Sequence, residues 1–340
     1  MKTNKTVASD KWQVARPAAQ RGTKTLSHVT RHVSPLHVTR HLSRVTCNAF
    51  TLIEVLVVVV LMSFIILALM AVFNGTQTAF RASLTQTDVL EGGRSVMGMV
   101  KSDLEGMTPS FLNATNFVPN FYAAEINSFM QPLTGSSASR TNVMEDVFFI
   151  TRENQTWKGV GYFVRSNILT SGLVGTPGVL YRFETNNTIA QFAQNPYAMY
   201  NTFDQARLGK LPNVPTNGIS RILDGVMAFK VRAFDTKGLW MTTNVVVNGT
   251  TNVYVWAYPT NSAGEPAALY MFSNALPASV EIELGILEDR ALQRVESLPN
   301  DVPGPPPNDR RTLYLQDQAG KVHVFRQRVW IRNVDPSAYQ

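Results

Sequence analysis

The run from Phe50 to Phe73, FTLIEVLVVVVLMSFIILALMAVF, constrains this chain more than any other stretch. It holds one charge, Glu54, near its start. At 1.5 Å per residue a helix of this length reaches roughly 36 Å, enough to cross a bilayer core of about 30 Å. A single segment can cross only as a helix, because only a helix satisfies its own backbone polar groups in lipid. The competing reading is a buried core helix, which rarely runs this long without a polar interruption. A membrane span is therefore the expectation.

The net charge of +7 resembles a nucleic-acid signal until its distribution is considered. Nine basic residues lie before Ala49 against the single Asp10, so the rest of the chain is close to neutral and offers no basic field for phosphates. The basic leader ahead of an apolar segment puts the amino terminus in the cytoplasm and the residues after Phe73 across the membrane. The leader contains HVTRH twice, at 28–32 and 37–41, and four of the five histidines. A His-rich metal tract is one reading of this stretch. A disposable extension, or upstream DNA translated from a misplaced start, is favoured, and disorder is expected because no apolar pattern is present to fold around. The one cysteine, Cys47, also lies here. A chain shortened to Phe50 has no disulfide and no thiolate chemistry.

Phe50-Thr51-Leu52-Ile53-Glu54, with basic residues before it and an apolar run after it, resembles the prepilin cleavage and methylation motif of type IV pilins and type II secretion pseudopilins. The resemblance implies cleavage by a prepilin peptidase between Ala49 and Phe50, N-methylation of Phe50, and an assembly role for Glu54. The family usually carries Gly before the cut, where this chain has Ala49, also a small residue. The implied fold is α+β and pilin-like: a long N-terminal helix packed on an antiparallel β-sheet head. The implied organisation is a cleaved leader over 1–49, a transmembrane helix over 50–73, an amphipathic continuation over 74–108 and a β-rich head over 109–340.

Past Phe73, the residues Phe80, Leu84, Met97, Val100, Leu104 and Met107 recur at three- and four-residue steps. The spacing predicts a helix to about residue 107, interrupted or kinked at Gly75 and loosened at Gly92-Gly93, with Pro109 marking its end. Residues 110–145, rich in Asn, Ser, Thr and Pro, read as loop. Strands are expected at 147–151, 159–165, 178–184, 227–233 and 280–286. A hairpin is expected from 239–247 to 253–258 through Asn248-Gly249, and another from 313–315 to 322–331. Residues 189–208 read as loop with some helix, 219–224 as a helical turn, 291–298 as helix or strand, and 299–307 as a proline-rich connection.

Within the head, GVGYFV at 159–164, LYRF at 180–183, SRILDGVMAFKVRAFDTKGLW at 220–240 and LPASVEIEL at 276–284 resemble the J-type minor pseudopilin. The hallmark is a strand ending in Phe-Asp, followed by Gly and Trp240.

Catalytic constellations are not found in this reading. His323, on a predicted strand, reads as an ordinary surface residue. Glu145-Asp146, Glu288-Asp289 and the pair Asp301 and Asp309 read as solvated turn charges, without calcium-loop spacing. Gly92-Gly93 lacks the lysine and further glycines of a phosphate loop. The expectation is a structural protein, not an enzyme, with no cofactor and no metal. It would be a minor pseudopilin anchored in the bacterial inner membrane, its head in the periplasm, joining a pilus-like filament near its tip. The resemblance names as partners the prepilin peptidase, the I- and K-type minor pseudopilins, the major pseudopilin and the inner-membrane assembly platform, and no nucleic acid. The alternatives are a minor pilin of a type IV pilus, for adhesion or DNA uptake, and a membrane-anchored enzyme or binding domain.

Overall fold

The computed structural model describes residues 51–112, 118–133, 138–165, 177–209, 218–244, 246–247, 250–251, 254–258, 267–298 and 310–339. The leader, with its histidine repeats, Cys47, Ala49 and Phe50, lies outside them, as do Asn248-Gly249, the proline-rich stretch, Asp301 and Asp309. The chain falls into two compact units, one ending at Phe64 and one beginning at Ile65.

Helix α1 spans Leu52–Glu105 and is unbroken at Gly75 and at Gly92-Gly93. In the first unit, every residue from Leu52 to Phe64 is exposed. In the second unit, exposure continues through Phe80 and Leu84, so these two residues are not part of the docking stripe. The stripe begins at Val89 and continues through Gly93, Val96, Met97, Val100 and Leu104, all buried. Gly93 does not loosen the helix. A Cβ there would lie 2.3 Å from the Phe325 ring, so its missing side chain lets the helix come down on that ring. The helix stops at Glu105. The Asn333 side-chain amide donates to the Met107 carbonyl at 3.0 Å, and the Thr108 N–H to Ile150 O at 3.1 Å, satisfying backbone groups near the exit.

The strands are β1 (Pro119–Pro132), β2 (Ser139–Glu153), β3 (Thr156–Arg165), β4 (Gly178–Thr188), β5 (Ile219–Phe234), β6 (Val246–Val247), β7 (Thr250–Thr251), β8 (Val255–Ala257), β9 (Ala268–Phe272), β10 (Ser279–Leu287) and β11 (Val322–Trp330). Helices α2 (Ile189–Gln194) and α3 (Ala198–Arg207) follow β4, and α4 (Asp289–Ser297) and α5 (Arg310–Asp317) follow β10. Among the described residues, nine strands form one sheet in the order β11-β10-β5-β4-β3-β2-β1-β9-β8, and β6 pairs with β7. Strands β1 to β5 are thus an antiparallel meander, and later strands extend both of its edges. The long strands β2 and β5 also meet directly, in parallel, with Met144 opposite Phe229.

Among the described residues, three apolar clusters cover the sheet. The α1 stripe packs over Val160, Tyr162, Leu180, Phe229, Ile282 and their neighbours. On the other face, Phe192, Met199, Tyr200 and Phe203 of α2 and α3 pack on Tyr122, Phe148, Trp157, Phe163 and Phe183. Residues from α4 and α5 cover Met227 and Leu287.

This double cover explains the largest departure from the sequence reading. Residues 119–132 and 139–145 lie in strands, not loop. In β1, Phe121 and Ala123 face one cluster and Tyr122 and Ala124 the other; in β2 every residue from 142 to 150 is buried. A strand buried on both faces loses the polar alternation by which strands are recognised. Residues 219–224 belong to β5 rather than a helical turn, because they pair with β4. Residues 313–315 are helical and lie in α5, so β11 pairs with β10 instead of forming a hairpin with them. Of the expected hairpin through Asn248-Gly249, the described residues show a short ladder, Val246–Val247 on Thr250–Thr251; beyond it β8 pairs with β9, and Trp240 makes a bridge to Phe234. Residues 291–298 resolve to helix, in α4.

Candidate assembly site at the start of the long helix

Thr51 precedes the first helical residue, and Glu54 lies three residues on. The Thr51 N–H donates to Glu54 Oε2 at 2.8 Å, the Thr51 hydroxyl donates to the same oxygen at 2.9 Å, and the Glu54 N–H reaches Thr51 Oγ1 at 3.4 Å. This is a capping box, which satisfies free N–H groups at the helix start. It also puts a carboxylate where the helix macrodipole is positive. The Thr-x-x-Glu spacing that signals this cap is legible in the sequence, but the role of Thr51 was not read from it. The charge on Glu54 has a local partner set within its own chain. Phe50 and Ala49, the expected cleavage and methylation residues, lie outside the described residues.

Beyond the cap the helix is apolar on every side. Leu52 is 84% exposed and Ile53 69%. The most apolar window of α1 has a mean hydropathy of 3.3 and no buried residue, and it is long and apolar enough to cross a membrane by length and composition. A helix apolar all round belongs against lipid or other apolar helices, since in water it would leave its whole surface unfavourably hydrated.

The helix is held to the head by a polar clasp as well as by its stripe. Asp103 of α1 accepts from Arg182 of β4, Nε to Oδ2 at 2.8 Å and Nη2 to Oδ1 at 3.2 Å, and from the Tyr162 hydroxyl of β3. Burial, and then the Asp103 carboxylate, push the Tyr162 phenol well above its ordinary range. Burial works against the Arg182 charge, but Asp103 and Glu184 more than restore it. Sequence reading missed this clasp because its members lie far apart in the chain.

Several expected surface groups take structural positions instead. Glu145 and Asp146 are buried, not solvated. Asp146 accepts from Arg165 Nη1 at 2.9 Å and Nη2 at 2.7 Å, with Arg207 of α3 at 3.4 Å, which ties α3 to the sheet. Glu145 accepts from the Val231 N–H where β2 meets β5. Glu288 precedes α4 and lies 3.2 Å from His323 Nε2. Asp235 closes the turn before Trp240 by accepting from the Lys237 and Leu239 N–H groups at 2.9 and 2.7 Å, with Gly238 at φ 78°. The four head segments singled out in the sequence fall on β3, β4, β5 and β10, neighbours in the sheet. Among the described residues, no group of three or more His, Cys, Asp or Glu side chains is arranged to hold a metal ion.

Residues 44–70 match the family model for the prokaryotic N-terminal methylation motif. Comparison with curated proteins and with solved structures returned no match. The matched segment covers the cap, Glu54 and most of the apolar run; it implies processing by a prepilin peptidase and points to membrane anchoring and pilus-like assembly with other pilins. The chain thus carries, on a long apolar helix followed by an antiparallel sheet, the amino-terminal motif of the type IV pilin-like and pseudopilin class.

Proposed function

We propose that this chain is a structural minor pseudopilin of a type II secretion system, entering a pilus-like filament near its tip through the first half of α1. The observation that carries the reading is the methylation motif at 44–70 leading into a helix whose residues are exposed through Phe80. The finer assignment rests on the resemblance of residues 159–284 to the J-type subunit. On this reading the prepilin peptidase cuts before Phe50, Phe50 is N-methylated, and the head folds outside the inner membrane. The I- and K-type and major pseudopilins and the assembly platform are the partners. The protein works by assembly rather than by catalysis.

Glu54 is the assembly residue in this proposal. In a single chain its carboxylate is held by Thr51; in a filament it would exchange that cap for the terminal ammonium of a neighbouring Phe50. Glu54→Gln keeps the capping box, since Gln serves at that position, and removes the charge. Glu54→Val removes both. The expected outcome is normal insertion and cleavage of both variants, with loss of crosslinking to other pseudopilins and of secretion. Secretion at the wild-type level by the Gln variant would overturn the assembly role. Mass spectrometry of the processed protein should find N-methyl-Phe50 at its start.

A further inference from the structure

Strand β11 is the last strand on one side of the sheet, so among the described residues its outer edge pairs with no strand. Its pairing with β10 runs from Ser279 opposite Trp330 to Leu287 opposite Val322 with no register shift. The edge therefore has neither bulge nor proline, two of the devices that usually blunt one. What it does carry is a ladder of alternate side chains on the face opposite α1: Val324, Arg326, Arg328 and Trp330, all exposed. On that face Arg140, Lys230, Arg232, Arg326 and Arg328 surround Glu281 and Glu283.

Arg328 differs from its neighbours. Glu283 pairs with Arg326 and Arg140, and Glu281 with Arg232 and Arg326. Among the described residues no carboxylate forms a salt bridge with Arg328. Its guanidinium lies 3.8 Å from the Phe234 ring centroid and 5.2 Å from that of Trp330, and its Nε donates to Ser279 Oγ at 2.8 Å. Stacking fixes the plane of the fork and leaves its terminal N–H groups for a partner. Arg and Trp together at an exposed, preorganised position have the composition of an interface hot spot.

We infer that β11 is a docking edge for an extended, carboxylate-bearing segment of a partner protein, which adds as a strand and places acidic side chains on Arg328 and Arg326. Strand addition supplies backbone hydrogen bonds, and alternate side chains supply the specificity. A second copy of β11 is disfavoured in this position, because an antiparallel pair would bring Arg326 and Arg328 against their own kind. A polyphosphate chain is disfavoured by the two carboxylates set within the patch. The inference does not rest on the secretion reading: filament entry is tested at Glu54, this edge at Arg328.

The test uses the full chain in detergent micelles and a short synthetic peptide alternating Glu with Val. Binding is expected, with affinity falling at least about tenfold on raising salt from about 0.15 M to about 1 M. Arg328→Glu should abolish binding, Arg328→Lys should weaken it, and Lys158→Ala on a distant strand should leave it unchanged. A peptide N-methylated at every backbone nitrogen, which has no N–H left on either edge to pair with a strand, should not bind wild-type protein. Equal binding of the methylated peptide, or wild-type affinity in Arg328→Glu, would overturn the inference. So would tighter binding of a single-stranded oligonucleotide than of the peptide. The methylated-peptide arm uses unaltered protein, so it decides even if a variant misfolds.

Discussion

The two ends of helix α1 have the same backbone and opposite surroundings. From Leu52 to Phe80 every side chain is exposed; from Val89 to Leu104 a stripe at three- and four-residue spacing is buried against the sheet. The difference lies in the arrangement of apolar residues around the axis. The first part is apolar on all sides as far as Phe73 and offers the head no preferred face. The second alternates its stripe with Arg94, Lys101 and Glu105, so one face alone can leave water. Secondary structure is shared; burial is dictated by angular distribution.

The strongest way to break this comparison is to remove each part in turn. A chain beginning at Thr76 should fold and stay soluble without detergent. A chain beginning at Pro109 loses Val89, Val96, Met97, Val100 and Leu104 from the core. At about 1.5–3 kcal/mol for each such side chain the loss rivals the 5–15 kcal/mol of a typical domain, so this chain should not fold cooperatively. Comparable melting temperatures for the two would refute the docking.

Single substitutions sharpen the contrast. Leu104→Ala should destabilise the head by about 2–5 kcal/mol through a core cavity. Leu56→Ala, in the exposed part, should leave head unfolding unchanged. Asp103→Ala leaves half-buried Arg182 with Glu184 alone and takes the acceptor from the buried Tyr162 hydroxyl, and should lower stability by about 1–3 kcal/mol in chemical denaturation.

The glycines give a smaller and signed test. Gly93→Ala forces the Phe325 ring to move and should destabilise by about 1–3 kcal/mol. Gly98→Ala meets nothing within 4 Å on an exposed turn and should stabilise by up to about 1 kcal/mol. Equal effects of the two would mean that the helix does not rest on Phe325.

The smallest effect expected is one of pH. Burial alone would push the Glu283 carboxyl up, but Arg326, with Arg140 and Lys230 beside it, holds it below its ordinary value of 4.5. A carboxyl lowered in the folded state stabilises above its unfolded pKa, and that contribution is lost as pH falls through the folded value. The stability difference between wild type and Glu283→Gln should therefore shrink as pH falls from about 6 to about 3. A difference that grows on acidification would contradict the pairing.

Legibility in the sequence followed the number of faces each element buries. The strand at 280–286 was legible because Glu281 and Glu283 mark its polar side. The apolar span and the motif at 50–54 were legible because both are contiguous and owe nothing to distant residues. Strand β1 was not, because α3 covers Tyr122 while the opposite core takes Phe121, and the first half of β2 was not, because it buries the polar residues Asn142, Glu145 and Asp146. Gly92-Gly93 read as a weak point, since glycine lowers helix propensity, and nothing local announced Phe325 more than two hundred residues away.

The sequence by itself determined the apolar run, its Thr51–Glu54 start and the amphipathic stripe after it. Each is set by neighbours within a few residues and by the chain's own periodicity. Only the tertiary structure decided that Asp146 is buried under Arg165, that Asp103 clasps Arg182, and that Arg328 stands on the last strand of the sheet order beside two aromatic rings. Those facts depend on which strands become neighbours. Strand order joins residues far apart in the chain, and no local pattern carries that information.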